Sequence, residues 1–372
     1  MHATPERRPA IPATLPYEHV AILGSGSWGT AIAAIARRAG RKVTMWSRDA
    51  DLAEQITARS RNDRYLPGIP LPDGITAYPN MGDAVKGAEA VFLVVPSRAI
   101  RSVSRQLKPL LVQPTPLVIC AKGIEAETGH LMSGLVDEEA PGHPVGALSG
   151  PTFAAEAARG DYTAATVAFR FDAADRLQPT ASPAARLAVS LSSDGFRPYI
   201  SDDLVGVETA GALKNVIAIA CGMMTGVGFA ENTRAALIAR GLEEMKTLTT
   251  ALGGRRATVT GLAGTGDLTL TCSSQTSRNM SLGLQLGQGI ARAECFDGRA
   301  VVAEGEHNAK SVHELCQRLG LNLPICETVY RILHEGADLR AAFAMLWSRP
   351  LEAEPLEMDI EIPHPMMLEA TR

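Results

Sequence analysis

The sequence predicts a two-domain α/β protein, a doubly wound and largely parallel sheet followed by a mainly α-helical domain. Three observations predict it. Short, continuously apolar runs alternate with helical stretches up to about residue 200, the pattern of parallel strands covered on both faces. A glycine-rich turn follows the first of these runs at once. Beyond about residue 201 strand-like runs become scarce, and helices separated by glycine pairs and Ser/Thr-rich loops follow one another. With 372 residues the chain is also too long for one typical core.

The strands are expected at residues 19–23, 42–46, 90–95, 117–121, 145–148, 163–169 and 196–200. A helix is expected at 30–39, ended by Gly40, another begins near an N-cap at Asp49, and a third covers 97–107. The second domain should hold helices at 202–221, 233–251, 278–287, 309–319 and 324–334. Domain limits follow as 18–200 and 201–350. Residues 1–17 carry Arg7 and Arg8, but Pro5, Pro9, Pro12 and Pro16 interrupt any signal-peptide core, so they read as a disordered or loosely attached extension. Residues 351–372 read as an acidic, solvated tail.

Composition narrows the function. A net charge of -4 argues against a general nucleic-acid binder, which needs a basic surface. No apolar run is read as approaching the roughly 18–20 residues that span a bilayer, so no membrane insertion is expected. Six scattered cysteines without a CxxC pair fit reduced thiols in the cytoplasm, and neither they nor the scattered histidines make a metal site.

Gly24-Ser25-Gly26-Ser27-Trp28-Gly29 fits G-x-G-x-x-G between a strand and a helix, which makes the first domain Rossmann-type. Gly24 permits the tight turn, Gly26 lets backbone approach a pyrophosphate, and Gly29 lets helix and strand pack closely. Trp28 is either a core aromatic or a wall of the cofactor site; a first-turn position favours the wall. The next strand ends Trp46-Ser47-Arg48. A guanidinium there, where NAD-specific folds place an acid, can accept a 2′-phosphate, so NADPH should serve at least as well as NADH.

Lys214 lies within Glu-Thr-Ala-Gly-Ala-Leu-Lys-Asn-Val-Ile-Ala-Ile-Ala-Cys at 208–221. On a helix its neighbours one turn away are Ala210, Gly211, Ile217 and Ala218. Spacing alone leaves two readings: a lysine snorkelling to the surface, or a buried one whose lowered pKa suits proton transfer. Residues 264–279 read as a polar loop, either merely solvated or a phosphate site in which Ser277 caps the helix opening at Arg278. The Gly-flanked Asp267 favours the site. Lys122 follows the strand at 117–121, and Ser149-Gly150-Pro151-Thr152-Phe153-Ala154 forms another small anion-friendly turn before a helix.

Together these segments resemble the bacterial NAD(P)-dependent glycerol-3-phosphate dehydrogenases: GSGSWGTA, AKGIE, LSGPTFAAE, ETAGALKN with GVGFAENTRAALI, GLAGTGDL, TSRN and VAEG, in order over residues 18–335. The resemblance implies reduction of dihydroxyacetone phosphate to sn-glycerol 3-phosphate with NADP or NAD, supplying phospholipid synthesis. It implies Lys214 as catalytic proton donor and acceptor, and Lys122, Gly150, Thr152, Asp267, Ser277, Arg278 and Asn279 as further substrate contacts. Beside Gly24, Gly26 and Gly29, it implies Ser27, Trp28, Arg48, Lys122, Ala154, Arg278, Val302 and Glu304 as cofactor contacts. The expected partners are a small phosphorylated substrate and a second copy of the chain in a homodimer, without nucleic acid. Two rivals remain at this point: a related dehydrogenase acting on a 3-hydroxy acid or ketopantoate, which needs no phosphate nest, and an NADPH-sensing protein without turnover, which needs no buried lysine.

Overall fold

Eight strands form one sheet in the computed structural model, which describes residues 14–354, 358 and 360–365. They are β1 (His19–Leu23), β2 (Lys42–Trp46), β3 (Ile75–Tyr78), β4 (Ala90–Leu93), β5 (Leu117–Ile119), β6 (Val145–Ser149), β7 (Thr163–Phe169) and β8 (Phe196–Ser201). The order is β3-β2-β1-β4-β5-β6-β7-β8, with neighbours parallel except the antiparallel β6–β7 pair. Every residue of β1 and β4 is buried, which is why those strands read as unbroken apolar runs. The edge strand β3 was not expected: only Ile75 and Ala77 of its four residues are buried, too short a pattern to stand out.

The chain divides into two compact units. The sheet and its helices, up to Ala121 and again over Ser133–Leu204, form the first; Lys122–Met132 and the residues from Val205 onward form the second. A single boundary near residue 200 therefore needs correction. The chain leaves the sheet unit after β5 for eleven residues (122 to 132) and then returns. The cause is packing: Ile124 belongs to the apolar core of the second unit. Arg318 fastens the same segment, donating to the carbonyls of Ala126 and Glu127 at 3.2 Å each.

The expected termini also change. Residues 1–13 lie outside the described part, but Tyr17 is buried and its N–H donates to Ser190 Oγ at 2.7 Å. The Arg186 guanidinium lies 4.0 Å from the Tyr17 ring centre and donates to the Leu15 carbonyl at 3.0 Å. Residues 15–17 are thus fixed to the sheet unit, against the expectation of a loose extension there; the rest of that expectation falls on residues outside the described part. In the acidic tail, Leu351–Glu352 pairs antiparallel with Glu361–Ile362, and Glu352 bonds to Arg240.

In the sheet unit, α1 (Ser27–Arg38) begins directly at the glycine turn, three residues before its expected start. α2 (Ala50–Arg59) is capped by Asp49, whose carboxylate accepts from Leu52 N at 3.0 Å. The second unit holds α3 (Leu204–Val227), α4 (Glu231–Ala251), α5 (Asp267–Ser273), α6 (Arg278–Gly287), α7 (Glu304–Leu319) and α8 (Pro324–His334). α3 corrects the expectation about apolar runs, being long and apolar enough to cross a bilayer. Its most apolar stretch is 94% buried inside the protein, however, as befits a helix apolar on every side. Glycines let it be crossed closely. A Cβ on Gly222 would stand 2.2 Å from the Met280 carbonyl oxygen, and one on Gly283 2.1 Å from that of Ile219. All six cysteines are free and buried.

Candidate active site

The glycine turn joins β1 to α1. Gly24 has φ +127°, and a Cβ there would lie 2.2 Å from the Val94 carbonyl oxygen; only glycine can hold that position. A Cβ on Gly29 would lie 2.0 Å from the Gly24 carbonyl oxygen, so turn and helix also depend on glycine at 29. Gly26 differs: nothing lies within 4 Å of where its Cβ would be, and no side chain caps α1. Open space over an uncapped helix start, with no acid in the first turn, fits a dinucleotide pyrophosphate. Trp28 sits in that first turn and is partly buried against the sheet-unit core.

At the end of β2, Arg48 is exposed and no hydrogen bond or ion pair engages it among the described residues. Asp49 follows. Its carboxyl is held below the usual carboxylate range by the Leu52 N–H it caps and by the Arg64 guanidinium. Gly150 closes β6 so tightly that a Cβ would be 2.8 Å from Ala165 Cα. Thr152 donates back to the Gly150 carbonyl at 3.3 Å. Ala154 opens a short helix, Ala154–Arg159, which packs on α1.

In the second unit a charged cluster stands where the sequence left Lys214 ambiguous. Lys214 is 7% exposed and does not snorkel. Its Nζ donates to Asp267 Oδ1 at 2.9 Å and to Thr271 Oγ1 at 2.8 Å. Lys122 Nζ donates to the other oxygen, Asp267 Oδ2, at 2.5 Å. Burial lowers the Lys214 ammonium to about 8; Asp267 opposes the shift and the Lys122 charge adds to it. Burial raises the Asp267 carboxyl, but the Lys122 and Lys214 charges outweigh that and hold it below its ordinary value. Two ammoniums on one carboxylate leave a net single positive charge, suited to an anionic substrate and to negative charge growing on an oxygen.

The expected loop at 264–279 is mostly helix. Leu262–Gly266 forms a π turn leading into α5, and Gly264 is demanded by packing, since a Cβ would fall 1.8 Å from the Val259 carbonyl oxygen. Asp267 thus stands at the start of a helix, which fixes its side chain. Ser277 caps α6 as expected, accepting from Met280 N at 3.3 Å. Arg278 is exposed beside it, with no partner among the described residues. Asn279 is buried and committed elsewhere: its amide donates to Asn215 Oδ1 at 2.8 Å and its carbonyl accepts from Gly305 N at 2.9 Å. It therefore ties the neighbour of Lys214 to the neighbour of Glu304, with Val302 and Glu304 at the entrance to α7.

Sequence reasoning missed two residues that hold this cluster. Thr271 lies one helical turn after Asp267 and donates to its Oδ1 at 3.2 Å; that i, i+4 spacing was a readable signal. Asn308 on α7 is fully buried and donates to the carbonyls of Lys122 at 2.9 Å and Ala212 at 3.1 Å. No local pattern announces such a residue, because its partners are remote in sequence.

A dinucleotide turn at the switch of a doubly wound sheet, with a buried lysine paired to a carboxylate in a helical second unit, defines a pyridine-nucleotide-dependent oxidoreductase. Comparison narrows the class. Residues 19–174 match the family model for the N-terminus of NAD-dependent glycerol-3-phosphate dehydrogenase and residues 203–344 that for its C-terminus. The Rhodospirillum rubrum glycerol-3-phosphate dehydrogenase [NAD(P)+] is 44% identical over 91% of this chain and 94% of its own. The Parvibaculum lavamentivorans enzyme of that name is 42% identical over 92% and 99%. The crystal structure of glycerol-3-phosphate dehydrogenase from Coxiella burnetii aligns with a TM-score of 0.82, 37% identity, and coverage of 90% and 99%. The chain belongs to the NAD(P)-dependent glycerol-3-phosphate dehydrogenase family.

Proposed function

We propose that the enzyme reversibly reduces dihydroxyacetone phosphate to sn-glycerol 3-phosphate with NAD(P)H, feeding glycerophospholipid synthesis from the cytoplasm as a homodimer. The observation that carries the chemistry is the buried Lys214–Asp267–Lys122 cluster with Thr271. Bound nicotinamide supplies the hydride. Lys214 gives its Nζ proton to the substrate oxygen as the ketone becomes an alcohol, and takes it back in the reverse direction. Asp267 and Thr271 each fix the ammonium by a hydrogen bond, so its remaining proton points in one direction. Lys122 adds positive charge for the oxygen. Arg278 binds the phosphate with the Ser277 hydroxyl and the second amide hydrogen of Asn279, the one not given to Asn215, and Gly150 and Thr152 add substrate contacts. Gly24, Gly26, Ser27, Trp28, Gly29, Arg48, Ala154, Val302 and Glu304 serve the dinucleotide.

The test is turnover of dihydroxyacetone phosphate against unphosphorylated dihydroxyacetone, followed by loss of reduced-nicotinamide absorbance. Phosphate recognition should favour the phosphorylated ketone by about a hundredfold or more in kcat/KM, the worth of two strong charge-assisted contacts. Equal turnover of the two would remove the phosphate assignment.

A pH dependence follows from Lys214. Ketone reduction uses the ammonium, which is present below about 8 and lost above it. Alcohol oxidation uses the neutral amine, which appears as pH rises through the same value. Profiles of kcat in the two directions should therefore slope oppositely across pH 8. Profiles that are parallel, or flat there, contradict the role.

A further inference from the structure

Residues 61–66, which follow α2, are laced to the glycine turn on both sides of Arg64. Asn62 is fully buried and its amide donates to the Ser25 carbonyl at 2.9 Å and to Thr30 Oγ1 at 2.7 Å. Ser27 Oγ donates to the Tyr65 carbonyl at 3.0 Å. The turn is in turn fastened to the end of β2, where Ser25 Oγ donates to Ser47 Oγ at 2.8 Å. Arg64 thus projects from a segment pinned to the dinucleotide cradle at Asn62 on one side and Tyr65 on the other. Its Nη1 reaches Asp49 Oδ2 at 2.5 Å, while Asp49 Oδ1 caps α2.

Asp49 is the acid nearest the end of β2, the place from which a carboxylate recognises a free ribose 2′-hydroxyl and repels a 2′-phosphate. Here both of its oxygens are engaged, one by backbone and one by a guanidinium. With Arg48 one residue away, the trio of Arg48, Asp49 and Arg64 carries a net single positive charge. We infer that Arg64 is a specificity-determining residue for adenine nucleotides phosphorylated on the ribose 2′ oxygen, cancelling Asp49 and completing with Arg48 a cationic rim for that phosphate. The inference rests on reading the glycine turn as a dinucleotide site.

Calorimetric titration with adenosine 2′,5′-bisphosphate and with 5′-AMP tests it without recourse to turnover. The wild type should bind the bisphosphate more tightly. Arg64→Ala should weaken bisphosphate binding by about tenfold and leave 5′-AMP unchanged, the scale of one charge-assisted contact. Asp49→Asn retains a good N-cap, and in the Arg64→Ala background it should restore part of the lost preference. Arg64→Lys should keep most of it. An unchanged bisphosphate-to-AMP ratio in Arg64→Ala, or an equal loss for both nucleotides, overturns the inference. Wild type that binds 5′-AMP as well as the bisphosphate overturns it too, yet leaves the dinucleotide site standing. Wild type that binds neither overturns both.

Discussion

Lys214→Ala is expected to lower kcat for ketone reduction by about 10²–10⁴-fold, the usual contribution of a positioned general acid, while the dissociation constant for NADPH stays unchanged. The fold should survive, because Asp267 keeps the Lys122 ammonium as its counter-charge at 2.5 Å. The truncation removes an ammonium that burial already disfavours, so it leaves no unpaired charge behind. Steady-state turnover and fluorescence titration of NADPH on the same preparation separate the two quantities. Retention of more than about a tenth of wild-type kcat would show that another group delivers the proton.

Asp267→Asn should act on stability and chemistry together. Asp267 is 2% exposed and answers two cations. Without its charge those ammoniums face each other in a site already poor in water, and breaking a buried pair this way costs about 3–5 kcal/mol. Asparagine matches aspartate in shape, so the loss measures charge rather than a cavity. Denaturant unfolding should register the destabilisation. Losing the opposing carboxylate also moves the Lys214 ammonium below about 8, because Asp267 is what holds it up against burial. The falling limb of the reduction profile should then shift to lower pH in the variant. An unmoved limb with full stability would mean that Asp267 does not control the lysine.

Much of this was legible in the sequence wherever a local constraint had a local cause. β7 and α6 fell on their expected residues because the first is bounded by polar turns and the second by the Ser277 cap. The glycine turn was equally readable at Gly29, which answers to Gly24 five residues back, whereas the demand at Gly24 comes from Val94, remote in sequence. Lys214 was half legible. Its apolar helical neighbours were visible, but whether the chain buries or frees the ammonium depends on Asp267, 53 residues on. The stretch 264–279 misled in an instructive way, since it read as a polar loop, whereas its first residue, Gly264, serves close packing against Val259. The commitment of Asn279 to Asn215 and Gly305 likewise needs three remote backbone segments to be placed first.

The excursion of Lys122–Met132 out of the sheet unit orders events during synthesis. The Lys122 carbonyl is made 186 residues before Asn308, the side chain that holds it. At translation rates of roughly 5–20 residues per second that gap lasts roughly 10–40 s. Through the first part of that interval, until residues from Ala210 onward emerge, the nascent chain carries Ile124 with the helices of its eventual core still unmade. The sheet can close around β5 early, but one lysine of the charged cluster must wait on the ribosome for the other. A gene divided at the junction near residue 204 would consequently yield no free-standing halves: the upstream product keeps the Lys122 segment, and the downstream product inherits Asp267 and Lys214 with one cation missing.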